Sequence, residues 1–183
     1  MENNIVENEV INTEEKDSVV VENNYLVTDP NNPVLRTQGR RVTQDNYNES
    51  VECIRRLYGV LSENPMALGV AAQQVGFDLN IFIAVIRGET QLFINPEYRM
   101  IKPTKYTFKY DEGCLSIPNE KYTVKRCSVI KARWQNEYLK WQELRLTDLD
   151  AVVFQHEKDH LKGILISDIG LKIDEEGNSK SIL

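Results

Sequence analysis

Only two histidines occur in the 183 residues, and they stand four apart in the run Gln155-His156-Glu157-Lys158-Asp159-His160. Side chains at i and i+4 lie on one face, one turn apart, only if the segment is a helix. Leu149, Val152 and Val153 extend the same stripe toward the N-terminus, so both imidazoles are predicted to point into the core. Buried imidazoles without a partner are costly. A divalent cation shared between them removes that cost. Glu157 lies about 100° around the helix from His156. It therefore stands beside such an ion without having to ligate it, as a general base acting on metal-bound water does.

A catalytic metal site takes three protein ligands and keeps one position open. No histidine follows His160, and the later acids (Asp168, Asp174, Glu175, Glu176) lie in or near a polar tail. The three cysteines differ in setting. Cys114 stands in the run Glu112-Gly113-Cys114-Leu115-Ser116, Cys127 follows Arg126 in a strand-like stretch, and Cys53 falls in the first helical segment. Cys53 and Cys127 read as small buried hydrophobes. A four-ligand structural site using Cys114 and Cys127 is the weaker alternative, because no tight knuckle spacing accompanies them.

Three cysteines are too few and too odd in number for a disulfide framework, which points to a reducing, cytoplasmic setting. The formal net charge of −6 argues against a specific nucleic-acid partner. No apolar run approaches the roughly 20 residues of a membrane span, so no membrane partner is expected. Residues 1–24 are acidic and lack aromatics, the composition of a disordered N-terminal extension. Helical spacing of Val51, Ile54, Leu57, Tyr58 and Leu61 predicts a helix from Tyr47 to Ser62, capped by Asn48 or Ser50. Strands are predicted at Ile81–Arg87, Gln91–Asn95, Lys105–Tyr110, Tyr122–Lys125, Ser128–Trp134 and Tyr138–Leu146, with Asn95-Pro96 closing the first hairpin. A last helix from Asp148 to Leu161 would start at a capping box of Thr147 and Asp150 and stop at Gly163. The fold class is α+β, with mixed or antiparallel sheets packed around a central C-terminal helix that carries H-E-x-x-H. Residues 171–183 read as a polar tail.

Three segments together carry a family resemblance. Gly69-Val70-Ala71-Ala72-Gln73-Gln74, Glu112-Gly113-Cys114-Leu115-Ser116 and Gln155-His156-Glu157-Lys158-Asp159-His160 resemble, in order, the three signatures of peptide deformylase. Pro33-Val34-Leu35-Arg36, Phe93-Ile94-Asn95-Pro96 and Leu161-Lys162-Gly163 support the match, which covers roughly Leu26 to Ile166. The resemblance implies a catalytic domain over residues 25–170, in which Cys114, His156 and His160 bind one divalent ion. Fe²⁺ is the native metal it implies, with Zn²⁺ or Ni²⁺ as substitutes. The implied reaction is hydrolysis of the N-formyl group from the initiator methionine of nascent polypeptides, with release of formate. Glu157 is then the base, and the Gln74 amide and the Leu115 N–H are the oxyanion donors. Leu68, Gly69, Gly113, Val152 and Val153 bind the substrate, the two glycines by letting its backbone approach closely. The implied partners are N-formylmethionyl nascent peptides and the ribosome.

Two departures stand out: Ala67 where the family usually has glycine, and Ile164-Leu165-Ile166-Ser167-Asp168-Ile169 after Gly163. Two other readings of the residues remain open. One is an H-E-x-x-H metallopeptidase with a downstream ligand such as Asp168. The other is a catalytically inactive relative that binds formyl peptides.

Overall fold

The structure is a computed structural model that describes residues 25–101, 107–174, 176, 177, 179 and 180. The extension at 1–24, the start of the strand expected from Lys105 and part of the tail lie outside these residues.

The described chain is α+β with antiparallel sheets. One sheet has five strands, Gly69–Ala71 (β1), Ile81–Ile86 (β2), Glu89–Met100 (β3), Val129–Gln135 (β6) and Trp141–Thr147 (β7), in the order β1-β2-β3-β6-β7. The other has four, Thr107–Cys114 (β4), Ile117–Cys127 (β5), Leu171–Ile173 (β8) and Ser179–Lys180 (β9), in the order β4-β5-β8-β9. Three α-helices accompany them among the described residues, Tyr47–Glu63 (α1), Asp148–His160 (α2) and Ile166–Ile169 (α3).

The β2 sequence Ile-Phe-Ile-Ala-Val-Ile does not alternate with polar residues because a helix covers each face of its sheet. Phe82, Ala84 and Ile86 join the α2 residues Ala151, Val153 and Phe154 in one core cluster. Ile81 and Ile83, on the opposite face, join Cys53, Leu57 and Val60 of α1 in another. Phe82 stacks on Phe93 at 4.7 Å between ring centroids, and both meet Phe154 edge-on at 5.1 and 5.3 Å. This aromatic knot fixes α2 against the sheet.

Several local expectations are corrected. On α1 the buried line is Ser50, Cys53, Leu57 and Val60, while Val51 and Tyr58 are 53% and 43% exposed. Each lies one position, about 100°, past that line. Asn46, not Asn48 or Ser50, precedes the helix, and its side chain bonds Thr43 N–H and the Arg41 carbonyl instead of capping. Asn95-Pro96 does not end a hairpin. The β3 strand runs on to Met100 through a register shift between Ile94 and Glu97, with Asn95 at φ 51°. A bulge there accommodates a proline that has no N–H for the ladder. The Asn95 side chain secures it by bonding both N–H and C=O of Val42 and the Gln135 carboxamide.

The strand expected from Tyr138 begins only at Trp141, because the Asn136 side chain accepts from the N–H groups of Tyr138 and Lys140 and holds a turn. Thr147 precedes α2 without a side-chain cap, since Asp150 is turned to the Arg87 N–H instead. Leu149 is 52% exposed and so leaves the buried stripe. Gly163, at φ 72°, does follow the helix, and the Ile164 N–H returns to the Asp159 carbonyl. Beyond residue 170, Leu171–Ile173 adds a strand to β5 through Tyr122 and Thr123.

The α2 helix packs on strands of both sheets. Its attachment to β5 is specific: Gln155 accepts from the Cys127 N–H at 3.0 Å and donates to the Cys127 carbonyl at 2.7 Å. The side chain thus acts as a short piece of neighbouring strand, and it sets the rotation of the helix that bears both histidines.

Candidate metal centre and active-site cleft

Cys114 ends β4 at a register shift against β5, where the chain turns through Leu115 and Ser116. That turn carries the thiol to α2. One ligand atom each from Cys114, His156 and His160 lies within 4.8 Å of the others, and Cys114 Sγ is 3.3 Å from His160 Nε2. A thiolate and two imidazoles suit a borderline or soft divalent ion. Burial pulls His156 down, but hydrogen bonds to Cys114 and Glu112 outweigh it and push its pKa up to about 10. His160 is held below the ordinary imidazole value by burial first and by the nearby His156 and Arg126. The donor set therefore fits a divalent cation.

The residues behind the ligands were not recognised from sequence. Glu112 accepts from His156 Nδ1 at 2.8 Å, which leaves Nε2 of that ring for a metal. Arg126, 4% exposed, grips the same carboxylate through Nε at 2.8 Å and Nη2 at 2.9 Å, and its Nη1 reaches Asp159. Burial acts to raise the Glu112 pKa, but the bonds from Arg126 and His156 override it and hold the carboxyl below its ordinary value. Arg126 thereby ties the first acid of the cysteine motif to the last acid of the histidine motif. The only signal in the sequence was a basic residue next to Cys127.

Gln74 sits 1% exposed in a 3₁₀ turn, Ala72–Val75, directly after β1. Its Oε1 accepts from the Ala71 N–H at 2.9 Å, while Nε2 donates to Ser116 Oγ at 3.2 Å and approaches Cys114 Sγ at 3.6 Å. The amide is thereby oriented with its nitrogen toward the cysteine. Glu157 is 3% exposed, and burial, partly countered by His156, pushes its pKa up to about 7.

Gln74, Cys114, Leu115, His156 and Glu157 all face one cleft of about 1000 Å³. Leu68, Gly69, Gly113, Val152 and Val153 line it too, with Ala67 among them. His160, 1% exposed, stands behind the cleft wall. The cleft runs between β1 and β4, which among the described residues pair only with β2 and β5 respectively. Two strand edges thus border it, and an extended peptide can pair with such edges. Gly113 has open space where a Cβ would be, as close backbone approach requires, whereas at Gly69 that space is filled by the Glu157 carboxylate.

The rival ligands lie elsewhere. Asp168 bonds Arg36 at 2.5 Å and the Leu165 N–H at 2.8 Å. Cys127 Sγ donates to the Val129 carbonyl. Cys53 is fully buried against β2, and burial pushes its thiol pKa far up.

A thiol and two ring nitrogens closing on one point, next to a buried acid in a peptide-wide cleft, define a metal-dependent amide hydrolase. Comparison with known proteins narrows the class. The family model described as polypeptide deformylase matches residues 25–175. A peptide deformylase of Thermotoga petrophila is 37% identical over 139 residues, covering 74% of this chain and 80% of that protein. The crystal structure of the Thermotoga maritima peptide deformylase superposes with a TM-score of 0.71 at 33% identity, over 79% of this chain and 96% of that one. A peptide deformylase from Synechococcus elongatus, solved in complex with actinonin, gives a TM-score of 0.73 at 25% identity, over 89% and 87% of the two chains. The chain belongs to the peptide deformylase family, whose members hydrolyse the N-formyl group of nascent polypeptides.

Proposed function

We propose that Cys114, His156 and His160 hold one Fe²⁺ ion, replaceable by Zn²⁺ or Ni²⁺, and that the chain deformylates N-formylmethionyl nascent peptides in the cytoplasm, at or near the ribosome. The observation that carries this reading is the convergence of the three ligand atoms within 4.8 Å beside Glu157. The α2 helix, central between the two sheets, supplies three of the four groups. The catalytic unit begins at residue 25, with the acidic stretch 1–24 as an extension outside it and a polar tail following it.

When bound, the ion acts as a Lewis acid and brings the pKa of a bound water toward about 7. Glu157, itself poised near 7, takes the proton from the attacking water and returns it to the departing amine. The Gln74 Nε2 and the Leu115 N–H donate to the oxygen that gains charge, and each such donor is worth on the order of 10²–10³ in rate. Glu112 holds His156 by its Nδ1, which fixes the ring orientation. Val152, Val153 and Leu68 take up the methionine side chain. The edge of β1 that begins at Gly69, next to Leu68, and the edge of β4 at Gly113 pair with the peptide backbone.

The test is formate release from formyl-Met-Ala-Ser by protein loaded anaerobically with Fe²⁺ or Ni²⁺, with metal content measured on the same sample. Turnover proportional to bound metal supports the reading. No formate from fully loaded protein overturns it in favour of a binding protein without activity.

A further inference from the structure

The inference builds on the reading of Glu157 as general base and concerns what aims its carboxylate. Glu157 Oε2 is buried and has no hydrogen-bond partner among the described residues. Unlike Glu112, held by an arginine fork, this oxygen is seated by the shape of its surroundings. The shape comes from β1. Alternation along that strand turns Val70 toward the α1 cluster and Ala71 toward the α2 cluster, so Gly69 shares the α2 face with Ala71. A Cβ built on Gly69 lies 2.5 Å from Glu157 Oε1, 2.7 Å from Cδ and 2.8 Å from Cγ, where ordinary contact begins at 3.4 Å. The helix cannot back away, because Gln155 and Phe154 fix it, so the carboxylate itself must shift, into the cleft that it faces.

We propose that Gly69 is a positioning residue for the general base: its bare Cα forms the wall against which the Glu157 carboxylate is seated. The N–H and C=O of Gly69 itself lie in a different direction, on the edge away from β2, because the neighbouring Leu68 carbonyl is the one that accepts from the Val85 N–H. One residue thus serves substrate with its edge and the base with its missing side chain.

Gly69→Ala displaces the carboxylate by about 1 Å, the difference between 2.5 Å and ordinary contact. A misplacement of that size costs roughly 100-fold in rate. With formyl-Met-Ala-Ser, kcat falls by about that factor while KM changes less than about threefold. Glu157→Asp withdraws the carboxylate by about 1.5 Å, one carbon–carbon bond, so the added methyl finds room. The double variant Gly69→Ala/Glu157→Asp therefore loses at least tenfold less than the product of the two single losses. Gly59→Ala, at a glycine with nothing within 4 Å of the new methyl, leaves kcat unchanged.

A crystal structure of Gly69→Ala reads the same displacement without any turnover. It therefore decides the point even if the wild type proves inactive and the assigned function fails. Glu157 unmoved in that structure overturns the proposal. So does a Gly69→Ala enzyme with raised KM and intact kcat, or a double variant whose losses simply multiply.

Discussion

Replacing Arg126 with leucine should damage stability and metal affinity together. The arginine lies between two acids, with side-chain exposures of 4% for Arg126, 6% for Glu112 and 13% for Asp159. Solvent screening is weak at such burial, so the surface discount for ion pairs does not apply. Removing one member of a buried charged pair leaves the partner uncompensated and costs roughly 3–5 kcal/mol. In a chain of this size each kcal/mol shifts the melting temperature by about 2–4 °C, so Arg126→Leu should melt roughly 6–20 °C lower. Glu112 also holds Nδ1 of His156. Loosening such a partner typically lowers metal affinity by about 10–100-fold, which a chelator competition resolves. The triple variant Glu112→Gln/Arg126→Leu/Asp159→Asn removes the stranded charges and should regain part of the lost stability. An Arg126→Leu protein melting within about 2 °C of the wild type with unchanged affinity would refute the view that this triad braces the centre.

Glu157→Ala should keep its metal but lose at least about 10²-fold in formate release; activity close to wild type would remove it from the proton-transfer role. Cys114→Ser should bind the softer ions more weakly because a hydroxyl replaces a thiolate, a change measured by metal titration. Asp168→Ala should retain full metal content, since that carboxylate serves Arg36 and the Leu165 N–H. Its stability loss should stay near 1 kcal/mol because the ion pair is over one-third exposed. Metal stripped from Asp168→Ala but kept by Cys114→Ala would favour the metallopeptidase reading.

Much of the site could be read along the chain where a single element carries it. Histidines four apart on a helix must share a face, and the continuous apolar run of β2 announces a strand covered on both sides. Pairings across long separations left little trace. Arg126 next to Cys127 looks like any strand residue until the fold brings Glu112 and Asp159 to its guanidinium. Along the chain the glycine at 69 reads as room for substrate, because nothing nearby in sequence indicates that Glu157, 88 positions later, occupies that space. Leu149 fitted the helical stripe by period alone, but it lies at the mouth of the cleft, where no element covers it.

Residue type and local period alone supply the site's chemical inventory: one thiol, two imidazoles, a carboxylate between them and the three segments that present them. Period and residue type are local properties, and local geometry follows from them directly. Tertiary structure decided which groups meet. It brought Cys114 to a helix more than thirty residues later, set the rotation of α2 through Gln155, and gave one carboxylate an arginine clamp and the other only a glycine wall. Those outcomes depend on how strands of two sheets pack against one helix, a balance summed over many separate segments that no single one encodes.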